Sequence, residues 1–327
     1  MKTSRSLALP PYLSLIAVLR AGFDAITNHL ILVIFPIALD LLLWMGPRLR
    51  LTQLINSMVN QLIEVYQVQG LGMDEMLATG KQLWVQLAEQ FNLLGALRTY
   101  PVGIPSLMVG ELPVAALLGA PPSWEIRSLE GVGLAWLAIT LVGLGLGTMY
   151  FEVVSQAAVL GHIDWGNAIR HWPRAVLQVI FLALFWAVLI LAVSIPASFL
   201  VSLVALGGLV AGQCILLLYA GFVFWLILPL AFSPQGIFVH QYRMFDSVKA
   251  SFRLIRKTLP TSVLFILAAF LLSKGLDLLW MTPGESSWLM LVGIAGHAFI
   301  TTGLLSASFV YYRDAERWIA RQAQMVG

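Results

Sequence analysis

A chain of 327 residues that is 59% hydrophobic and only 11% charged, with a mean hydropathy of +0.87, is not an ordinary soluble domain, where about a quarter of residues carry charge. The net charge of +3 does not point to nucleic acid, because the basic residues cluster beside apolar runs, as topology signals do. The single cysteine, Cys214, excludes an internal disulfide and a cysteine-based metal site.

Lys2 and Arg5 precede an apolar patch, as in a signal peptide. Pro10 and Pro11 interrupt that patch and a full span follows, so the segment is expected to be retained. Residues 12 to 28 place Ile16, Leu19, Phe23 and Ile26 on one helical face, with Arg20 and Asp24 at i, i+4 on another. This predicts an interfacial helix lying flat before span one, which runs from about His29 to Met45 with a kink at Pro36.

Residues 48–130 contain no span. Leu51, Leu54, Ile55, Met58, Val59, Leu62 and Ile63 keep helical spacing, and Leu83, Leu87, Phe91 and Leu94 repeat it, giving two amphipathic helices. Pro101, Pro105, Pro113, Pro121 and Pro122 then break an apolar stretch that needs cover. The region reads as an extracytoplasmic amphipathic and proline-rich insertion, either a packed cap or a lid dipping into the outer leaflet.

Further spans are expected at about Val132–Phe151, Ala175–Val193, Gly208–Phe232, Thr261–Leu279 and Trp288–Val310, with a turn at Ser194–Ser198. Gly143 with Gly147, and Gly208 with Gly212, form small-xxx-small pairs that let another helix approach closely. With both termini in the cytoplasm, thirteen of the 19 Lys and Arg fall inside. The expectation is an all-α polytopic protein: a single membrane domain, 1–327, of six transmembrane helices in the bacterial cytoplasmic membrane.

The segment Lys249-Ala250-Ser251-Phe252 aligns with Arg20-Ala21-Gly22-Phe23. Downstream, Gly275-Leu276-Asp277-Leu278-Leu279 aligns with Ala38-Leu39-Asp40-Leu41-Leu42, and Trp280-Met281 with Trp44-Met45. Ala168-Ile169-Arg170 and Pro173 mark a middle copy, so three parallel helix-plus-two-span repeats are expected. The stretch FDSVKASFRLIRKTLP and the terminal FVYYRDAERW resemble bacterial six-span proteins of the YciC family and the membrane domain attached to some glycerophosphodiester phosphodiesterases. The resemblance implies a shared bundle and transfers no catalytic residue.

No HExxH, GxSxG or P-loop motif is present, and His162 with Asp164 is too little for a metal site. Candidate interior polar or ligand positions are Asp40, Glu152, Gln213, Asp277 and His297, because a charge in hydrocarbon needs a partner or water. Asp40 and Asp277 are expected to reach interfacial water or pair with Lys274, and Glu152 to sit at the inner interface. His297, with Thr301 and Thr302 one turn on, and Gln213 are the candidates for an interior cluster, as helix-joining hydrogen bonds or as a ligand site. Lys249, Arg253, Arg256 and Lys257 stand beside an apolar face of Phe245, Val248, Phe252, Ile255 and Leu259. They are candidates for headgroup contact or partner docking.

These residues suggest a non-enzymatic membrane protein that organises membrane or handles a lipid or other amphiphile. Membrane lipids are the expected partners, and neither nucleic acid nor a cofactor is expected. The alternative is a permease subunit working with a cytoplasmic ATPase, and an intramembrane enzyme ranks third.

Overall fold

The computed structural model describes residues 14–68, 80–85, 87–88, 91–109, 119, 121–205, 208–284 and 287–326. The elements are α1 (Leu15–Thr27), α2 (Ile34–Met45), β1 (Arg48–Arg50), α3 (Thr52–Val68), β2 (Ser123–Glu125), α4 (Leu129–Leu160), α5 (Trp165–Ala205), α6 (Leu209–Ile227), α7 (Ser233–His240), α8 (Met244–Trp280) and α9 (Met290–Val326). The described residues are almost wholly helical, with a two-stranded parallel ribbon, β1 with β2. Among the described residues five stretches are long and apolar enough to cross a membrane: Leu129–Leu160, Trp165–Val204, Val210–His240, Met244–Trp280 and Met290–Gln324. The pair Leu15–Thr27 and Leu30–Met45, bent by 91°, makes a sixth if it counts as one span. The protein is therefore a membrane-embedded, multi-pass helical bundle.

Ser14 starts α1 by accepting the Ala17 N–H on its hydroxyl. The buried stripe is Val18, Gly22 and Ile26, which overlaps the predicted face only in part: Ile26 is buried, Leu19 and Phe23 are half-buried and Ile16 is 80% exposed. The reason is close packing on α9. Gly22 lies against the backbone of Ala307, where no Cβ would fit, and Phe23 lies over Gly303. Arg20 and Asp24 do pair, at 3.7 Å on the exposed side. The expected kink at Pro36 is absent from the helix interior. Because α2 begins at Ile34, Pro36 falls in its first turn, where no hydrogen bond is lost. The bend comes earlier, between Asn28 and the 3-10 turn Leu30–Val33.

Helix α9 is the central post. Its apolar window is 56% buried, against 22, 11, 17 and 11% for the other four long stretches. Tyr150, Phe151, Phe238 and Phe309 interlock around its middle, and Tyr150 donates to Thr302 Oγ1 at 2.9 Å.

Helix α5 overturns the turn expected at Ser194–Ser198: it runs unbroken through Pro196 to Ala205. Serine hydroxyls there bond within the protein, Ser198 to Ile195 O at 2.8 Å and Ser194 with the Tyr219 hydroxyl at 2.6 Å. In hydrocarbon a Ser-Pro-Ser stretch is thus satisfied inside a helix instead of ending one. The reversal lies beyond Ala205, where Gly208 takes a φ of +137° that favours glycine. Gly208 faces open space, so it is a turn residue and not a helix-packing site, while Gly212 is buried. The outer parts of α5 and α6 pack chiefly on each other and stand off the bundle, exposing Val188, Ile195, Leu217 and Trp225.

After α6 the chain makes a 3-10 turn at Leu228–Leu230 and drops into the short buried helix α7. A break at this depth needs hydrogen-bond partners, and α8 supplies them. Ser251 donates to Pro229 O (2.8 Å) and accepts from Phe232 N (3.1 Å), and Ser247 donates to Ser233 O (2.5 Å). Both serines are fully buried, so the first turns of α8 point serines, not Phe245 and Phe252, toward the bundle, and Phe265 packs inward only further along. Helix α8 has its own break at Thr258, two residues before Pro260. There Tyr311 of α9 holds Thr261 and Ser262 at 3.0 and 2.9 Å.

Candidate functional site

Polar side chains gather at the two ends of the bundle. At one end lies the connection between α2 and α4, here termed the cap. At the other lie the α4–α5 and α7–α8 connections and the end of α9, here termed the terminal end.

Asp40 is wholly buried and meets neither interfacial water nor Lys274. Its carboxylate accepts from Ser106 Oγ (2.5 Å), Leu107 N (3.1 Å) and Met108 N (3.1 Å). The cap thus reaches into the bundle, and Val102, Ile104, Leu107 and Met108 join its core. Gly143 and Gly147 receive this chain, not another helix. Gly143 abuts Leu97 O, and a Cβ at Gly147 would stand 2.8 Å from Gly103 Cα. The close approach expected of a helix is made here by an irregular segment. Pro113 lies outside the described residues, as do Lys2, Arg5, Pro10 and Pro11. Along α3, Met58, Leu62 and Val65 are exposed, as are Leu83, Trp84 and Leu87 beyond it.

Asp277 and His297 meet. His297 Nδ1 lies 2.7 Å from Asp277 Oδ1, and Lys274 Nζ lies 2.9 Å from Asp277 Oδ2. With Asp277 ionised, the imidazole proton sits on Nδ1 and donates to it. His297 is buried, and its Nε2 has no hydrogen-bond partner among the described residues. Thr301 bonds back to His297 O, and Thr302 bonds back to Ala298 O while accepting from Tyr150, so these bonds do not go to the His297 ring. Gln213 does not join this cluster; it is exposed near the start of α6.

At the terminal end Glu152 is 6% exposed. Gln156 donates to its Oε1 at 3.0 Å and accepts the Asp164 N–H at 2.9 Å, so the α4–α5 turn fixes the amide. Nearby, His240 pairs with Glu316, which also accepts from Tyr312 at 3.0 Å. Tyr242 stands outside the long helices, and burial raises its phenol above the ordinary tyrosine range.

Lys249, Arg253, Arg256 and Lys257 line an open groove of about 610 Å³ with Val248 and Phe252. Phe245, Phe252 and Leu259 are exposed beside them, whereas Ile255 of the predicted apolar face is 2% exposed and packs inward. Sequence reasoning missed Ser106, Gln156 and Gln178. Gln156 lies at i+4 from Glu152 and could have been found by that spacing. The partnership of Ser106 with Asp40 spans 66 residues and left no local signal.

Among the described residues no group of three or more His, Cys, Asp or Glu is placed to hold a metal ion. Comparison of the chain with protein-family models, with curated proteins and with solved structures gave no match.

Proposed function

We propose that the chain is a non-enzymatic protein of the bacterial cytoplasmic membrane that engages membrane lipid through the basic start of α8, with both termini in the cytoplasm. The observation that carries this reading is the pairing on one surface of exposed Phe245, Phe252 and Leu259 with Lys249, Arg253, Arg256 and Lys257. Apolar rings favour the acyl boundary, and each cation near an anionic surface contributes about 1 kcal/mol. The distribution of Lys and Arg supports the orientation. The exposed apolar residues of α3 support a second, cap-side contact with lipid.

Three parallel repeats and a kinship with the YciC-like bundles belong to the same proposal. In its favour, α1–α2 and α8 are both an amphipathic helix, a break and an apolar helix with Leu-Leu-Trp at or next to its end, and Asp40 and Asp277 are each bonded near that end. The middle unit, α5, has no such break.

The test is lipid retention. In nanodiscs containing phosphatidylglycerol and phosphatidylcholine, native mass spectrometry of the wild-type protein should show phosphatidylglycerol enriched among retained lipids. Replacing Lys249, Arg253, Arg256 and Lys257 by Gln should abolish that enrichment. Equal enrichment in both proteins would refute the reading.

A further inference from the structure

Where α4, α5, α7 and the start of α8 meet, Glu152 looks into a cavity of about 20 Å³ whose wall includes His171, Arg174, Gln178, Gln241 and Tyr242. That volume holds one water-sized group. A carboxylate offers about four acceptor directions, and the hydrogen bond from Gln156 takes one of them. Among the described residues no Lys or Arg lies within 4 Å of Glu152. A nearly buried carboxylate is therefore left without a Lys or Arg ion pair, with only the longer-range field of His171 acting on it, although an uncompensated buried charge is costly.

Arg174 and Gln178 also line the next compartment, an open groove of about 660 Å³ that adds Phe181, Arg243 and Phe245. Gln178 is fixed there by accepting the Met244 N–H at 2.8 Å. Neither Arg174 nor Arg243 has a carboxylate within 4 Å among the described residues. From Arg174 an exposed apolar stripe, Leu177, Phe181, Leu184 and Val188, descends along α5 at helical spacing.

We propose that these two adjacent compartments, which share Arg174 and Gln178 in their walls, bind one phospholipid with a primary-ammonium headgroup, phosphatidylethanolamine being the case tested. Its phosphate sits between the Arg174 and Arg243 guanidiniums, whose planar forks suit phosphate oxygens. Its ammonium enters the cavity and donates to Glu152, supplying the missing cation. Its acyl chains follow Phe181 and the stripe below. A trimethylammonium group is too large for a cavity of one water's volume and has no proton to donate. A glycerol headgroup fits the groove but brings no charge to Glu152. The inference rests on the reading of the protein as a lipid-engaging one, and adds a headgroup choice that the basic face of α8 cannot make.

The experiment uses the full-length protein, delipidated in detergent and returned to nanodiscs of equal parts phosphatidylethanolamine, phosphatidylcholine and phosphatidylglycerol, with lipids retained per protein counted by native mass spectrometry. The wild-type protein should hold phosphatidylethanolamine about tenfold over phosphatidylcholine, the equivalent of about 1.4 kcal/mol. Glu152→Gln keeps the shape and should bring that ratio to about one, and R174Q/R243Q should lose the retained phosphatidylethanolamine. A series of mono-, di- and trimethylated headgroups on the wild-type protein reads the same contact without a substitution, and retention should fall with each methyl. Equal retention of the ethanolamine and choline lipids by the wild-type protein, or a ratio unchanged in Glu152→Gln, would overturn the proposal. Failure of the broader reading appears separately, as no phosphatidylglycerol enrichment over phosphatidylcholine.

Discussion

Asp40 takes three hydrogen bonds from one short stretch of the cap, and at 0% exposure it has no route to bulk water. Asp40→Leu would leave the Ser106 hydroxyl and the Leu107 and Met108 N–H groups unpaired in an apolar setting. The expected loss is about 3 kcal/mol or more, because buried donors lose both partner and solvent. Thermal unfolding in detergent should show it, together with faster proteolysis at residues 98–109. An unchanged melting temperature would mean that the cap is held by packing alone. Sequence reading flagged Asp40, Asp277 and His297 as expensive in hydrocarbon, because charge cost is a property of the residue and its neighbours in the chain. Their partners were mostly illegible. Lys274 with Asp277 shows at i, i+3, but Asp277 with His297 and Asp40 with Ser106 depend on which segments become neighbours.

Among elements, the buried serines of α8 matter most for the broken passage from α6 to α7. Ser251→Ala removes the acceptor for Phe232 N and a donor to Pro229 O at a site that water does not reach. A destabilisation of about 1–3 kcal/mol is expected, read as a lowered melting temperature. No change would show that the backbone there finds other partners. The long apolar helices were legible because hydropathy and length declare them. Their interruptions were misplaced because turn residues change meaning in hydrocarbon: Ser194, Pro196 and Ser198 stay helical, while the next helix starts only after the Gly207-Gly208 pair. On α8, Phe245 and Phe252 are exposed while Ser247 and Ser251 form the inner seam, since small hydroxylated residues allow close approach and satisfy a broken neighbour.

At the scale of the whole molecule, the cap and the terminal end should lie on opposite sides of a membrane. In a Cys214→Ser background, Ser57→Cys on α3 and Gln324→Cys near the end of α9 place single thiols at exposed positions on the two ends. A membrane-impermeant maleimide applied to intact cells should label the first, and label the second only after permeabilisation. The reverse pattern would invert the orientation. Which helices touch was beyond the sequence, because hydropathy reports burial in lipid and in protein alike. The central place of α9 and the stand-off of the α5–α6 hairpin are therefore structural findings.

The β1–β2 ribbon, with Arg48 opposite Ser123 and Arg50 opposite Glu125, closes the cap where it begins. The connection leaves from Arg50 on the last rung and returns at Ser123 on the first, so its two feet are held close together. Lengthening such a loop raises its closure entropy only logarithmically, by about 0.6 kcal/mol per doubling. Exposed positions along α3 can therefore vary in length with little effect on the bundle, whereas the stretch that reaches Asp40 cannot. The ribbon thus divides the cap into a part free to diversify and a part fixed by the helices it seals.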